Sequence, residues 1–248
     1  LATWDVDGDT PPNEFSGHDG STRKVSFLDN NRMVSGGEDD KIIVWDVESK
    51  RQINSVVSEH GGVIDFAING DVLSSVGPDG VVRLWAIDEL ELVDTLRGHD
   101  DLIWSIGNLG ERGFVSVGQD GSIRWWNASK SHPKTYTIES HLPASDVTFV
   151  WSDTLVSVSD PDHNLQIFNV STGESSVVEP NVKRELSVVE FVPTTSFVVT
   201  GDVEGDVLLW DTEKKKQIKL VGNCQHQISS LDVTSFGKKV AAGSFGGQ

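Results

Sequence analysis

Serine, histidine and aspartate occur together several times in this chain, and together they can perform nucleophilic hydrolysis. The sets are His18 with Ser35 and Asp39, His60 with Ser75 and Asp79, and His99 with Ser116 and Asp120. A hydrolase needs such a set once, in a cleft, with oxyanion donors beside the serine. Here the set recurs at an interval of about forty residues, and each serine lies inside an apolar run that reads as a buried strand. Recurrence in a strand points to architecture, so the sequence is read as non-catalytic.

Other chemistries fare no better. Asp5-Val6-Asp7-Gly8-Asp9 begins like a calcium loop, but its glycine falls at position four and no glutamate stands at position twelve. The histidines follow the repeat and lack a close-spaced ligand pair, so neither a metal nor a cofactor is expected. Lys214-Lys215-Lys216 reads as a solvated turn. The single cysteine, Cys224, can form neither an internal disulfide nor a multi-cysteine zinc site, which suits a reducing compartment such as cytosol or nucleus.

The elements that carry these residues follow from the aromatics. Trp4, Trp45, Trp85, Trp126, Phe168 and Trp210 recur at intervals of 41, 40, 41, 42 and 42 residues. Each closes a short apolar run, such as Ile42-Ile43-Val44-Trp45, that follows an acidic or glycine-containing turn. Asp79-Gly80 and Asp120-Gly121 are tight-turn signals, because glycine accepts the positive φ that such turns require. Within one interval the strands read Arg23 to Leu28, Arg32 to Gly36, Lys41 to Asp46 and Gln52 to Val57. No window holds a helical period. The fold class is therefore all-β, built of four-stranded antiparallel units across a single domain of residues 1–248.

These residues resemble the WD-repeat family: Gly17-His18, Ser35, Asp39 and Trp45-Asp46, with Gly98-His99, Ser116, Asp120 and Trp126 repeating the set. The resemblance covers essentially the whole chain and implies a β-propeller, in which blades are arranged radially about a channel. It also implies a buried relay in which tryptophan pairs with a strand hydroxyl, the hydroxyl with histidine, and histidine with the turn aspartate. Three complete sets fit: His18, Ser35, Asp39, Trp45; His60, Ser75, Asp79, Trp85; and His99, Ser116, Asp120, Trp126. In each, aspartate precedes tryptophan by six residues and serine by ten. The fifth unit has His141, Ser157 and Asp162 but Phe168 for tryptophan, with an extra residue at Asp160-Pro161. The sixth keeps Thr200 and Trp210, with Glu204 for the aspartate and no histidine near Asn181. A closing unit retains His226 with Ala242 and Gly246.

Two strands, Ile228 to Val233 and Lys239 to Gly243, remain at one end, and Leu1 to Val6 reads as a third strand at the other. Six blades are favoured, the closing blade shared by residues 1–16 and 224–248; a parent of seven or more blades is the alternative. The chain lacks an initial methionine, which suggests a fragment.

Twenty Lys and Arg against 38 Asp and Glu give a net charge of −18, which disfavours nucleic acid and anionic lipid and steers basic peptides inward. No run of 18 apolar residues is present. By alignment with the family, a top-face rim of partner-contacting residues comprises Arg23, Glu38, Asp65, Pro78, Trp104, Gln119, Pro161, Ser187, Ser229 and Phe245. Trp104 and Phe245 would be apolar anchors. Trp125 reads as core and Trp151 as facing the opposite side. The expected function is a scaffold or adaptor for proteins; the alternatives are a structural subunit using blade edges and, remotely, a hydrolase.

Overall fold

A computed structural model describes residues 2–3, 13–110, 113–126, 138–139, 144–151, 154–159, 164–169, 172, 174–178, 185–193, 195–233 and 239–244. The chain divides into two compact units, Leu1–Ile103 and Trp104–Gln248.

In the first unit, β1 (Ala2–Thr3) pairs with β2 (Asn13–Glu14). A four-stranded meander follows, made of β3 (Thr22–Phe27), β4 (Arg32–Gly37), β5 (Lys41–Asp46) and β6 (Arg51–Val57). The second meander is β7 (Asp65–Asn69), β8 (Val72–Val76), β9 (Val81–Ala86) and β10 (Glu91–Arg97). In the second unit the same pattern recurs in β11 (Ile103–Asn108, whose first residue closes the first unit), β12 (Phe114–Gly118), β13 (Ser122–Trp126) and β14 (Ile138–Glu139). It recurs again in β15 (Ala144–Trp151), β16 (Thr154–Ser159), β17 (Asn164–Asn169) and β18 (Ser175–Val178), and in β19 (Leu186–Phe191), β20 (Phe197–Asp202), β21 (Asp206–Asp211) and β22 (Lys216–Asn223). A two-stranded sheet, β23 (Ile228–Val233) with β24 (Val240–Ser244), ends the order. The strand pairings among the described residues are antiparallel, and no α-helix occurs there. The expected limits of the strands between Arg23 and Val57 and of the last two strands are met within a residue, while of the expected strand Leu1 to Val6 only Ala2–Thr3 lies among the described residues. Leu28, read as the end of β3, instead starts the turn, its N–H donating to Arg32 O at 2.9 Å.

Sheets pack face to face, which is why the central strands are apolar without alternation. On β5, Ile42 and Val44 join Val34, Val63, Phe66, Leu73 and Trp85 in one cluster, while Ile43 and Trp45 join Phe15 and Met33 on the other face. In the second unit Leu165, Leu186, Val198, Leu208 and Trp210 form one cluster, and Val115, Val117, Ile123, Val147 and Phe168 another. Each aliphatic side chain so buried contributes about 1.5–3 kcal/mol. Outer strands are different. β6, β10 and β22 are largely exposed.

Glycine is required where sheets approach closely. A Cβ on Gly77 would lie 2.3 Å from Gly62 O and 2.6 Å from His60 Cβ, and one on Gly201 would lie 2.4 Å from Ile228 Cβ. Turns into the third strands use positive φ at Gly80 (69°) and Gly121 (72°). Asp40 takes that place in the first meander, at φ 64°, and its carboxylate gives it a purpose. It accepts from the Ser58 hydroxyl at 2.5 Å, from His60 N–H at 3.0 Å and from Gly62 N–H at 3.1 Å, holding the segment that delivers His60.

Candidate functional site: buried relays and an exposed strand edge

Burying an indole brings its N–H out of water, and an unpaired buried donor costs about 1–3 kcal/mol. In the first meander Trp45, 1% exposed, donates to Ser35 Oγ at 2.8 Å. Having accepted there, the Ser35 hydroxyl can give its own proton to a neutral imidazole, and His18 Nε2 lies 2.7 Å away. The other ring nitrogen, Nδ1, is 2.7 Å from Asp39 Oδ1. The carboxylate also accepts from Asp19 N–H at 2.9 Å and Lys41 N–H at 3.3 Å. Burial raises the Asp39 carboxyl, but the Asp19 N–H and the His18 imidazole outweigh it and hold the group below the usual range.

The second meander repeats the chain of bonds with one addition. Trp85 donates to Ser75 Oγ at 2.8 Å, Ser75 Oγ is 2.8 Å from His60 Nε2, and His60 Nδ1 is 2.8 Å from Asp79 Oδ1. Arg83, 8% exposed, places Nη1 2.6 Å from Asp79 Oδ2 and 2.7 Å from His60 Nδ1. Imidazole and guanidinium thus share one carboxylate, each on its own oxygen. Burial pushes the His60 imidazole below its ordinary value; Asp79 opposes that shift and the Arg83 charge adds to it. Burial raises Asp79, yet His60 and Arg83 together bring it below the usual carboxylate range.

In the third set Trp126 donates to Ser116 Oγ at 2.8 Å, and His99 is buried in the first unit. Asp120 Oδ1 caps its turn, accepting from Ser122 N–H at 3.0 Å and the Ser122 hydroxyl at 2.8 Å. The sixth unit keeps the first link, Trp210 to Thr200 Oγ1 at 2.8 Å. Its turn is capped by the buried Asp202, which accepts from Glu204 N–H at 3.0 Å and Asp206 N–H at 2.8 Å; Glu204, two residues on, supplies a donor there. Phe168, 1% exposed, fills the tryptophan position without a donor. Trp4, His141, Asp160, Asp162, Asn181 and Gly246 lie outside the described residues, as do the side chains of Ser157 and Trp151. Ser35, Ser75 and Ser116 are each 0% exposed, so no substrate reaches these hydroxyls.

The exposed residues are organised by a recurring irregularity. Where a first strand meets a second, one residue is extra: Thr22 pairs with Gly37 and Lys24 with Gly36, leaving Arg23 unpaired. The same slip singles out Ser145, Ser187 and Ser229. Such bulges turn a side chain away from the sheet's ordinary alternation. Arg23 and Glu38 are exposed and ion-paired to each other. Trp104 is 41% exposed, and its indole N–H donates to Gln119 Oε1 at 2.9 Å. Pro78, Gln119 and Ser229 are exposed. Ser187 is half-buried, its hydroxyl 2.6 Å from Ile228 O. Pro161 and Phe245 lie outside the described residues.

Asp65 sits differently from the exposed rim residues. The interval in its unit is one residue shorter, which moves Asp65 off the rim and into register with Val76. It is 7% exposed, lies 3.0 Å from Lys24 Nζ and accepts from Phe66 N–H at 2.9 Å. Trp125 is partly buried, packed against the Val115 and Phe168 cluster. Sequence reasoning missed Arg83 and Asp146. Asp146 Oδ1 accepts from the Ser105 hydroxyl at 3.0 Å and Oδ2 from Val189 N–H at 2.9 Å, tying β11, β15 and β19 together. The only sequence signal was that Asp146 stands 41 residues after Ser105, in phase with the repeat.

The family described as WD domain, G-beta repeat matches residues 9–46 and 90–127. Autophagic-related protein 16.2 of Caenorhabditis elegans is 22% identical, over 92% of this chain and 53% of its own length. Ribosome biogenesis protein YTM1 of Eremothecium gossypii is 24% identical, over 89% of this chain and 51% of its own. This chain therefore spans about half the length of these relatives. Among solved structures, that of U3-55K superposes with a TM-score of 0.84 at 21% identity, covering 98% of this chain and 81% of that one. The WD40 repeats of RRP9 give a TM-score of 0.76 at 23% identity, covering 88% and 71%. These likenesses show the fold.

Proposed function

We propose that this chain, two stretches of which match the WD-repeat family, is a non-catalytic scaffold that binds a peptide or domain at the bulged strand edge. The Ser, His and Asp side chains of the first two relays are consumed in holding buried indoles, which leaves the exposed edge as the place where chemistry meets solvent. The observation that carries the reading is the repeated bulge, which in four of the sheets sets one residue, Arg23, Ser187 and Ser229 among them, at the equivalent place between first and second strands. Trp104, exposed and fixed by Gln119, is its anchor; buried aromatic anchors dominate interface energetics in general. Relatives named for autophagy and for ribosome biogenesis are in keeping with a binding role, and the lone cysteine with a reducing compartment such as cytoplasm or nucleus.

The test is affinity capture with cross-linking mass spectrometry, comparing wild type with a Trp104→Ala, Gln119→Ala variant of unchanged melting temperature. Partners captured by wild type should be lost, with their cross-links mapping beside Trp104 and Gln119. Undiminished capture by the variant removes the edge from the binding surface.

A second reading has its own observation. The outer strands carry exposed apolar side chains, with Leu92 and Val93 on β10 and Ile218, Leu220 and Val221 on β22. A structural subunit of a larger assembly would be held through these strands. Leu92→Lys with Leu220→Lys would then abolish incorporation into the assembly, and the Trp104 variant would not.

A further inference from the structure

Two cross-strand latches stand at the same place in the repeat. Arg23 reaches Glu38 and Trp104 reaches Gln119, each pair fifteen residues apart and each joining a first strand to the residue before the turn aspartate. They differ in what they leave over. In the first, a guanidinium and a carboxylate satisfy one another. In the second, Gln119 Oε1 takes the indole's one polar hydrogen at 2.9 Å, so the exposed ring has no hydrogen bond left to offer a ligand. What it offers is the face of a π system whose orientation is already fixed.

Such a face is filled either by an apolar side chain or by a cation, which the ring quadrupole attracts. The chain's net charge of −18 concentrates cations at its surface and decides between them. Among basic side chains the guanidinium is planar, weakly hydrated and stacks on aromatic faces, where an ammonium must shed tightly held water. Resting on the proposed partner-binding edge, we propose that Trp104 is a receptor for an arginine side chain of the partner, and that Gln119 is a positioning residue that sets the indole for it. The Arg23 and Glu38 latch is the closed counterpart of this site, its guanidinium supplied by the chain itself.

The experiment uses the intact chain with a defined probe, a twelve-residue Gly/Ser peptide carrying three arginines, and two controls in which citrulline or lysine replaces arginine. Indole N–H signals of the 15N-tryptophan-labelled protein are followed by NMR, with that of Trp104 assigned from Trp104→Phe. The arginine peptide should move the Trp104 signal and leave those of Trp45, Trp85, Trp126 and Trp210 in place. Trp104→Leu should weaken binding by about three- to thirty-fold, the range of a cation over an indole face, and citrulline should weaken it as much. Lysine should fall between the two. Gln119→Glu, which keeps the acceptor, should bind the arginine peptide at least as well as wild type, and Gln119→Leu should bind it less well. Equal binding of arginine and citrulline peptides, or unchanged binding by Trp104→Leu at unchanged melting temperature, overturns the inference. If Trp104 variants lose natural partners yet bind the arginine peptide normally, the arginine assignment alone fails; if they lose neither, the edge reading fails with it.

Discussion

Removing one hydroxyl, in Ser75→Ala, should cost far more than its size suggests. Ser75 is 0% exposed and is bonded at 2.8 Å on each side, to the Trp85 indole and to His60 Nε2. Alanine loses little apolar contact but strands a buried donor and a buried acceptor at once. At about 1–3 kcal/mol for each of the two stranded groups, the loss is about 2–6 kcal/mol. For a domain of this size that lowers the melting temperature by roughly 2–4 °C per kcal/mol. Thr200→Val is the internal control, because the hydroxyl it removes is an acceptor for Trp210 and valine keeps the shape, so about 1–3 kcal/mol is expected. The assay is urea unfolding followed by tryptophan fluorescence, within a double-mutant cycle against Trp85→Phe. Phenylalanine removes the donor, and Phe168 shows that the packing position accepts it. The Ser75 and Trp85 substitutions should couple by about 1 kcal/mol or more, as residues in one hydrogen-bond network do. Ser75→Ala within 0.5 kcal/mol of wild type on this scale of roughly 1–3 kcal/mol per group, or additive single variants, would refute the reasoning.

Acid should destabilise the chain in two stages. The His60 imidazole is held below 6.5 in the fold, so as pH falls through that value the unfolded chain takes up a proton that the native state refuses, and stability drops. Asp39 and Asp79, held below 3.8, give a second loss as pH falls through that value; unfolding curves from pH 7.5 to 3 should show both, and His60→Asn should flatten the first. Gly77→Ala should destabilise by about 1–3 kcal/mol, because the new Cβ meets backbone oxygen that cannot move aside. Asp146→Ala should speed hydrogen exchange at the Val189 amide and lower stability by about 1–3 kcal/mol, both visible in one exchange and unfolding series.

The repeat was legible because its causes are local. A tryptophan closing an apolar strand needs an acceptor ten residues back, and a turn of fixed length fixes the aspartate six residues back, so both spacings appear in the sequence wherever the strand and turn lengths hold. Asp79-Gly80 and Asp120-Gly121 likewise announce a backbone that only certain residues adopt. What was hidden depends on how sheets approach each other. Asp65 and Arg23 look equally polar in the sequence, yet a one-residue shortening of an interval turns Asp65 inward to Lys24 and leaves Arg23 outside. Arg83 looks like an exposed strand residue until its guanidinium is seen beside Asp79 and His60, and the link from Asp146 to Val189 spans 43 residues with no pattern to betray it. The Trp104 to Gln119 bond lies within one sheet and its turn, yet it was hidden as well, since neither residue type signals it.

One spectrum decides most directly whether the repeated polar groups are internal struts and the edge is the working surface. In hydrogen exchange of 15N-labelled indoles, the N–H groups of Trp45, Trp85, Trp126 and Trp210 should exchange only through opening of the fold, and that of Trp104 should exchange orders of magnitude faster. Rapid exchange at Trp45 or Trp85, matching Trp104, would mean that water reaches Ser35 and Ser75, and the structural reading of their histidines and aspartates would be contradicted.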